Sequence, residues 1–259
     1  MIEVSFGQLH EWLTQFLWPF ARLSAFMMVS PLLGHSSIPT RAKIGIAVIL
    51  TIVAGATMPP MPEVPIMSWA GVGVIIEQML IGAALGLVMH IIFAAVLVAG
   101  DFIGLQMGLG FAAFFSPDTG ANSMVLSRIL YMVSLLMFLA FDAHLFMIRI
   151  LVESFTTLPV GLLGVNTNAL DMLVRFSGTI FISGMLLSLP LVIALLIINL
   201  ALGILNRAAP QFTIFSVGFP MSLIAGMFLM VILMSDLAGF LEGLFAQGLQ
   251  FMQQLAEAL

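Results

Sequence analysis

The chain has no cysteine among its 259 residues, which excludes disulfides, thiol chemistry and Cys-ligated metals without fixing a redox compartment. Charge is nearly as scarce. Asp, Glu, Lys and Arg make up 7% of the residues, against roughly 25% in an ordinary soluble domain. A soluble core of this size could bury much apolar surface, but it would still need a charged exterior that these residues cannot supply. Only seven residues are Lys or Arg and the formal net charge is −5, which argues against nucleic acid as a partner. The phosphate loop GxxxxGKS/T, HExxH, GxSxG and any carboxylate cluster at metal-ligand spacing are also missing, so no catalysis, metal or cofactor is expected. No Lys or Arg precedes Arg22, so no cleavable signal peptide is expected and the first apolar segment must direct insertion.

What is present is hydrophobic: 62% of the residues and a mean hydropathy of +1.22. This composition predicts an all-α, membrane-type protein with long kinked helices and helical hairpins. Six apolar segments can be drawn, at 12–33, 44–58, 66–100, 124–158, 176–205 and 212–234. The second is short for a span. The third and fourth would run about 50 Å each as helices, against a hydrocarbon core of about 30 Å. Neither contains Pro or Asn-Gly punctuation, so each is expected to continue beyond the bilayer rather than fold into a hairpin. Pro190 is expected to kink the fifth segment rather than end it.

The charges sit awkwardly for a simple membrane bundle. Arg22 lies mid-segment, at a cost of about 2.5–3.5 kcal/mol, while the Leu, Phe and Val residues around it return roughly 3–5 kcal/mol. Glu77, His90, Arg128, Asp142, His144 and Arg149 add similar costs to the long segments. Arg22, Glu77, Asp142 and Arg149 are the candidates for buried polar contacts, with Arg149 and Glu153 spaced to pair on one helical face and Asp142 on the same side. His90 and His144 read as packed helix residues before any ligand or proton-relay role, although an intramembrane ionisable group is a functional candidate by default. A six-span topology with the N-terminus outside makes the loops at Arg41–Lys43 and Arg207 cytoplasmic. It also makes the 101–123 loop cytoplasmic, and that loop carries Asp101 and Asp118 with no basic residue. The positive-inside rule is poorly obeyed, as it would be if much of the chain were surrounded by protein.

The tail has a definite face. Leu237, Phe240, Leu241, Leu244, Phe245, Leu249, Met252 and Leu255 share one side of a helix, with Glu242 and most of the glutamines elsewhere. It has no Lys or Arg for anionic lipid, and Gly239 and Gly243 are four apart. A helix that packs on partner proteins is expected. The twenty methionines are dispersed, as adaptable packing rather than a copper site.

The most unusual stretch is 104–123, GLQMGLGFAAFFSPDTGANS. Gly104, Gly108 and Gly110 disfavour a helix interior, and Ser116-Pro117-Asp118-Thr119-Gly120 reads as a turn. Met107, Phe111, Phe114 and Phe115 are nevertheless not residues for a solvated loop. Irregular backbone beside membrane helices must be buried in protein or line a cavity, so the residues alone leave two readings, a pore plug and an inert buried loop.

A second distinctive stretch is 206–220, NRAAPQFTIFSVGFP. Structurally it is a helical hairpin turn, with Arg207 near a helix end, where cations are favoured, and Pro210 breaking the helix. Its residues resemble the signature of the FliR family of flagellar biosynthetic proteins, which is related to the matching subunit of virulence type III secretion systems. The resemblance covers nearly the whole chain. RLSAFMMVSP at 22–31, Ile38-Pro39 before Arg41 and Lys43, IIEQMLIGAALGLV at 75–88, the 104–120 loop and the 207–220 hairpin occur in the family's order. The last two are specific, and the ending shortly after the tail looks more flagellar than injectisome-like.

The resemblance implies one export-gate domain with an approximate FliP-like part at 1–175 and a FliQ-like hairpin with its tail at 176–259. It implies a helical assembly with FliP-like and FliQ-like subunits, further FlhB-like and FlhA-like partners, and unfolded proteins as the cargo. The implied place is the bacterial inner membrane within the flagellar basal body. The loop would plug the pore through Met107, Gly108, Gly110, Phe111, Phe114, Phe115, Ser116, Pro117 and Asp118. The hairpin motif would comprise Arg207, Pro210, Gln211, Phe215, Gly218, Phe219 and Pro220. Phe and Met would supply a dry, deformable seal. One alternative is the equivalent virulence-system subunit. A different class, a secondary transporter or ion channel, would need paired ionisable groups in an inverted repeat. No such repeat is detected, and Glu77 and Asp101 would be about 36 Å apart on one helix.

Overall fold

The computed structural model describes residues 6–55, 58–59, 61–62, 64–110, 125–161, 164, 166–208 and 218–259. The described residues form helices α1 (Phe6–Val29), α2 (Thr40–Gly55), α3 (Trp69–Gln106), α4 (Val125–Ala140), α5 (Ala143–Thr157), α6 (Thr167–Phe176), α7 (Thr179–Ala208) and α8 (Phe219–Ala258). The all-α expectation holds. Among the described residues, three stretches are long and apolar enough to cross a membrane: α3, the α6–α7 run Thr167–Ala208, and α8. A fourth is added if α4 and α5 count as one broken span. This is fewer than the six segments drawn from sequence, because α2 has only 16 residues and α1 carries Arg22 within it.

Helix α3 runs unbroken for 38 residues, about 57 Å, as the absence of Pro and Asn-Gly led one to expect. Pro190 lies inside α7 without ending it. The 124–158 segment departs from expectation. It breaks at Asp142, which sits in the left-handed region at φ 54° and is the only described non-glycine residue with positive φ. Asp tolerates that conformation better than most side chains, so an apolar run can turn there without Gly or Pro.

The tail is a second departure. It is continuous with the preceding segment as the 40-residue α8, and Leu237, Leu241, Leu244, Phe245, Met252 and Leu255 are buried by the chain itself. That face does not wait for a partner. A Cβ at Gly239 or at Gly243 would meet nothing within 4 Å, so within this chain the two glycines form no close helix seam.

The chain divides into two compact units, each discontinuous in sequence. The first comprises Met1–Ile91, Asp142–Ser177 and Ala246–Leu259. Its core includes Trp18, Leu23, Phe26 and Met27 of α1 with Leu85, Val88 and Met89 of α3. Gly82 and Gly86 bring the two backbones together, since a Cβ at Gly82 would overlap the Arg22 carbonyl oxygen and one at Gly86 would lie 2.9 Å from that of Phe26. Helix α2 packs on α1 through its small buried residues Ala47, Thr51 and Ala54. Asn166 caps α6 by accepting from the Asn168 N–H at 3.0 Å, and its own Nδ2 donates to the Ala258 carbonyl at 2.9 Å.

The second unit comprises Ile92–Phe141 and Gly178–Phe245. Its centre is aromatic. The Phe93, Phe138 and Phe245 rings lie 5.1–5.6 Å apart by centroid, and Tyr131 adds an edge contact to Phe93 at 5.5 Å. Such offset and edge-on pairs strengthen burial beyond area alone. Helix α7 exposes Phe181, Ile182, Met185, Leu186, Ile197 and Leu200.

Candidate functional site

The second unit holds the root of the glycine-broken stretch. Gly104 is not a breaker; it is buried inside α3. The helix stops at Gly108, whose φ of 83° is cheap only without a Cβ. Its N–H donates to the Leu105 carbonyl at 3.0 Å, and the Leu109 N–H donates to the Gly104 carbonyl at 2.9 Å. These two bonds make a Schellman cap. They satisfy two of the carbonyls that a helix end leaves over; Gln106 remains.

The Gln106 carbonyl accepts from Nδ2 of Asn199, on α7, at 3.2 Å. The Oδ1 of Asn199 accepts in turn from the Ser222 hydroxyl, on α8, at 2.5 Å. The next residue, Met107, is 3% exposed and lies across Gly226 of α8, where a Cβ would come within 2.5 Å of Met107 Cγ. Gly110 is half-buried. Phe111, Phe114, Phe115, Ser116, Pro117 and Asp118 lie outside the described residues. On the other side of that stretch, the Ser127 hydroxyl of α4 donates to the Asp101 carboxylate, and Gly100 lies where a Cβ would overlap the Ser127 backbone. Both flanking helices are thus tied together close to where the stretch begins and ends.

The first unit holds the other constellation. Arg22 is fully buried and its guanidinium makes four hydrogen bonds. Nε donates to Gln78 Oε1 at 2.8 Å, Nη1 to the Ser154 carbonyl at 2.9 Å and to Ser154 Oγ at 3.1 Å, and Nη2 to the Leu158 carbonyl at 2.9 Å. The group also lies over the Phe155 ring, 4.2 Å from its centroid, in a favourable cation–π position. Glu77, 8% exposed, supplies opposing charge. Arg22 therefore joins α1, α3 and the C-terminal end of α5, where a cation is favoured.

Asp142 and Arg149 do not join that constellation. Arg149 does pair with Glu153, at 2.7 Å, but the side chains are 70% and 51% exposed. Asp142 is exposed at the helix break and makes no side-chain cap. The i,i+4 spacing holds and the expected burial does not. His90 is exposed and His144 half-buried.

Of the hairpin motif, Arg207 is exposed in the last turn of α7. Gly218 and Phe219 are half-buried at the start of α8, and Pro220 is exposed in its first turn, where a proline costs no hydrogen bond. Pro210, Gln211 and Phe215 lie outside the described residues. Sequence reasoning missed Gln78, Ser154, Asn199 and Ser222. For Gln78 there was a local signal, its place one residue after Glu77 and one turn before Gly82. Asn199 is an amide in the apolar run IINLAL.

Residues 13–248 match the family described as bacterial export proteins, family 1. The chain is 44% identical over 247 residues to the flagellar biosynthetic protein FliR of Escherichia coli K12, covering 95% of this chain and 94% of that protein. It is equally similar, 44% over 247 residues and the same shares, to the FliR of Pectobacterium carotovorum. The FliR of Bacillus subtilis is 30% identical over 243 residues, 93% of each chain.

Proposed function

We propose a function from one premise: the chain belongs to the FliR family of flagellar biosynthetic proteins, within the bacterial export proteins, family 1. It acts as a non-catalytic subunit of the flagellar type III export gate, assembling with FliP-like and FliQ-like subunits and working with FlhB-like and FlhA-like components. Its place is the bacterial inner membrane, in the flagellar basal body, and its cargo is unfolded protein in transit. The stretch 104–123 plugs the pore when no cargo passes.

The observation that carries the plug reading is the build of its root. Helix α3 ends in a glycine cap, and the next residues lead directly into Phe111, Phe114 and Phe115. The Ser127–Asp101 tie between α3 and α4 holds the helices on either side. Rigid flanks around an apolar, glycine-rich segment suit a seal that moves while its frame stays. The exposed apolar side chains of α7 and of the first half of α8, such as Phe228 and Val231, favour an assembled subunit, because patches of this kind mark interaction or membrane surfaces.

Deleting residues 110–116 tests the reading. Assembly is expected to persist, because the deleted residues lie beyond the cap, while the membrane becomes leaky to small ions. A deletion strain that assembles, exports and stays tight would return the stretch to inert packing.

A further inference from the structure

Asn199 belongs to no motif that marks the family resemblance, and it stands in the most apolar part of α7, between Ile198 and Leu200. A primary amide in such a run is costly unless its groups are bonded. Here both ends are used, one toward each neighbouring helix. Nδ2 donates to the Gln106 carbonyl of α3, and Oδ1 accepts from the Ser222 hydroxyl of α8.

The two bonds have different jobs. An amide can present either its N–H or its carbonyl oxygen, and Gln106 offers only an acceptor. The Ser222 hydroxyl, by occupying Oδ1, turns Nδ2 toward Gln106. The bonded carbonyl is the α3 carbonyl that the Schellman cap leaves over. One residue on, Met107 fills the space that Gly226 leaves open. The end of α3 is therefore held to the α7–α8 pair by one oriented hydrogen bond and one shape fit. Both can be undone at small cost, since water can replace the donor and a thioether side chain repacks readily.

We propose that Asn199 is a positioning residue of the gate. It latches the end of α3, at Gln106 and Met107, to α7 and α8, and export requires that this latch be released. The proposal rests on the plug reading for its link to leakage, and on the described contacts alone for the existence of the latch.

The test uses the full chain in a motile cell with the rest of its export apparatus. Asn199→Asp keeps the shape and still accepts from Ser222, but places an oxygen where the donor stood. It is expected to assemble in normal yield and to raise ion leakage about tenfold, the scale of one net hydrogen bond in a closed-to-open ratio. Ser222→Thr keeps the hydroxyl and is expected to remain tight, which a generally fragile helix contact would not predict. Where the 110–116 deletion leaks, an assembled, tight Asn199→Asp strain would overturn the latch.

A second measurement needs neither leakage nor Asn199. The chain has no cysteine, so Met107→Cys with Gly226→Cys introduces a single possible intrachain disulfide. Oxidation is expected to stop secretion of flagellar protein and reduction to restore it, in the same cells. Failure of the disulfide to form, or equal secretion in the oxidised and reduced states, would overturn the latch even if Asn199→Asp does not assemble. A tight 110–116 deletion with a redox-switchable cysteine pair would sink the plug and leave the latch standing.

Discussion

Arg22→Lys keeps the buried positive charge and removes its reach, so it isolates what the guanidinium geometry contributes. The four hydrogen bonds of Arg22 leave from three nitrogens and spread over Gln78, Ser154 and Leu158. A lysine offers its donors from one point on a flexible stem and cannot serve α3 and the end of α5 together. Stranding the buried Leu158 carbonyl costs about 1–3 kcal/mol, while the Ser154 carbonyl loses its second donor and keeps the Leu158 N–H at 2.9 Å. That cost is an appreciable part of the ordinary 5–15 kcal/mol of a folded domain. The chain extracted from membranes in mild detergent should therefore aggregate at a clearly lower temperature and accumulate less. Arg22→Met should be worse, since it strands the same Leu158 carbonyl and removes the cation facing buried Glu77. Adding Glu77→Gln to it should recover part of the loss. A lysine variant with the native aggregation midpoint, or a double variant no better than Arg22→Met, would refute this account of the constellation.

The long helices were legible where nothing in the sequence opposed them. Residues 66–100 contain no Pro and no Asn-Gly, and α3 is continuous. The break in 124–158 was not legible, because a lone Asp142 in an apolar run expresses only a weak local preference, and tertiary packing decides whether the chain uses it. The tail face from Leu237 to Leu255 was readable from its 3.6 period. Which surface covers it was not, since periodicity marks an apolar stripe without naming its neighbour. Close helix approach was sought at Gly239 and Gly243, whereas Gly82 and Gly86, at the same spacing, make it.

The candidate site was legible to a similar depth. Three glycines flagged the end of α3, and only position in the fold shows that Gly104 lies within the helix while Gly108 caps it. Arg22 and Glu77 stood out as charges that lipid would not accept. The residues that accommodate Arg22 did not, because Ser154 is 132 positions away and looks like any helix serine. Asn199 and Gln106 are separated by 93 positions, beyond any local pattern. Asp142 and Arg149 were assigned to the interior because apolar sequence surrounds them. A helix whose partner-facing side is apolar all the same leaves room for charge on its exposed side.

Arg149→Ala should leave the aggregation midpoint unchanged, because the pair it breaks lies on an exposed helix face; a clear drop would mean that this face is covered in the assembly. Phe138→Ala should destabilise by about 3–5 kcal/mol, since its ring packs against both Phe93 and Phe245, and an unchanged midpoint would show that the cluster is loosely packed. The cap offers a graded comparison. Gly108→Ala retains the N–H that bonds Leu105 and pays for positive φ, about 1–2 kcal/mol, so assembly should be mildly reduced and the membrane tight. Gly108→Pro cannot adopt φ 83°, lacks the N–H and disfavours the helical conformation of Met107 before it. It should free Met107 from Gly226 and leak, where a merely stiffened loop would stay closed. Leakage measured beside secretion in the two strains decides between these, and a proline strain as tight as the alanine strain would show that the cap at Gly108 does not hold the seal in place.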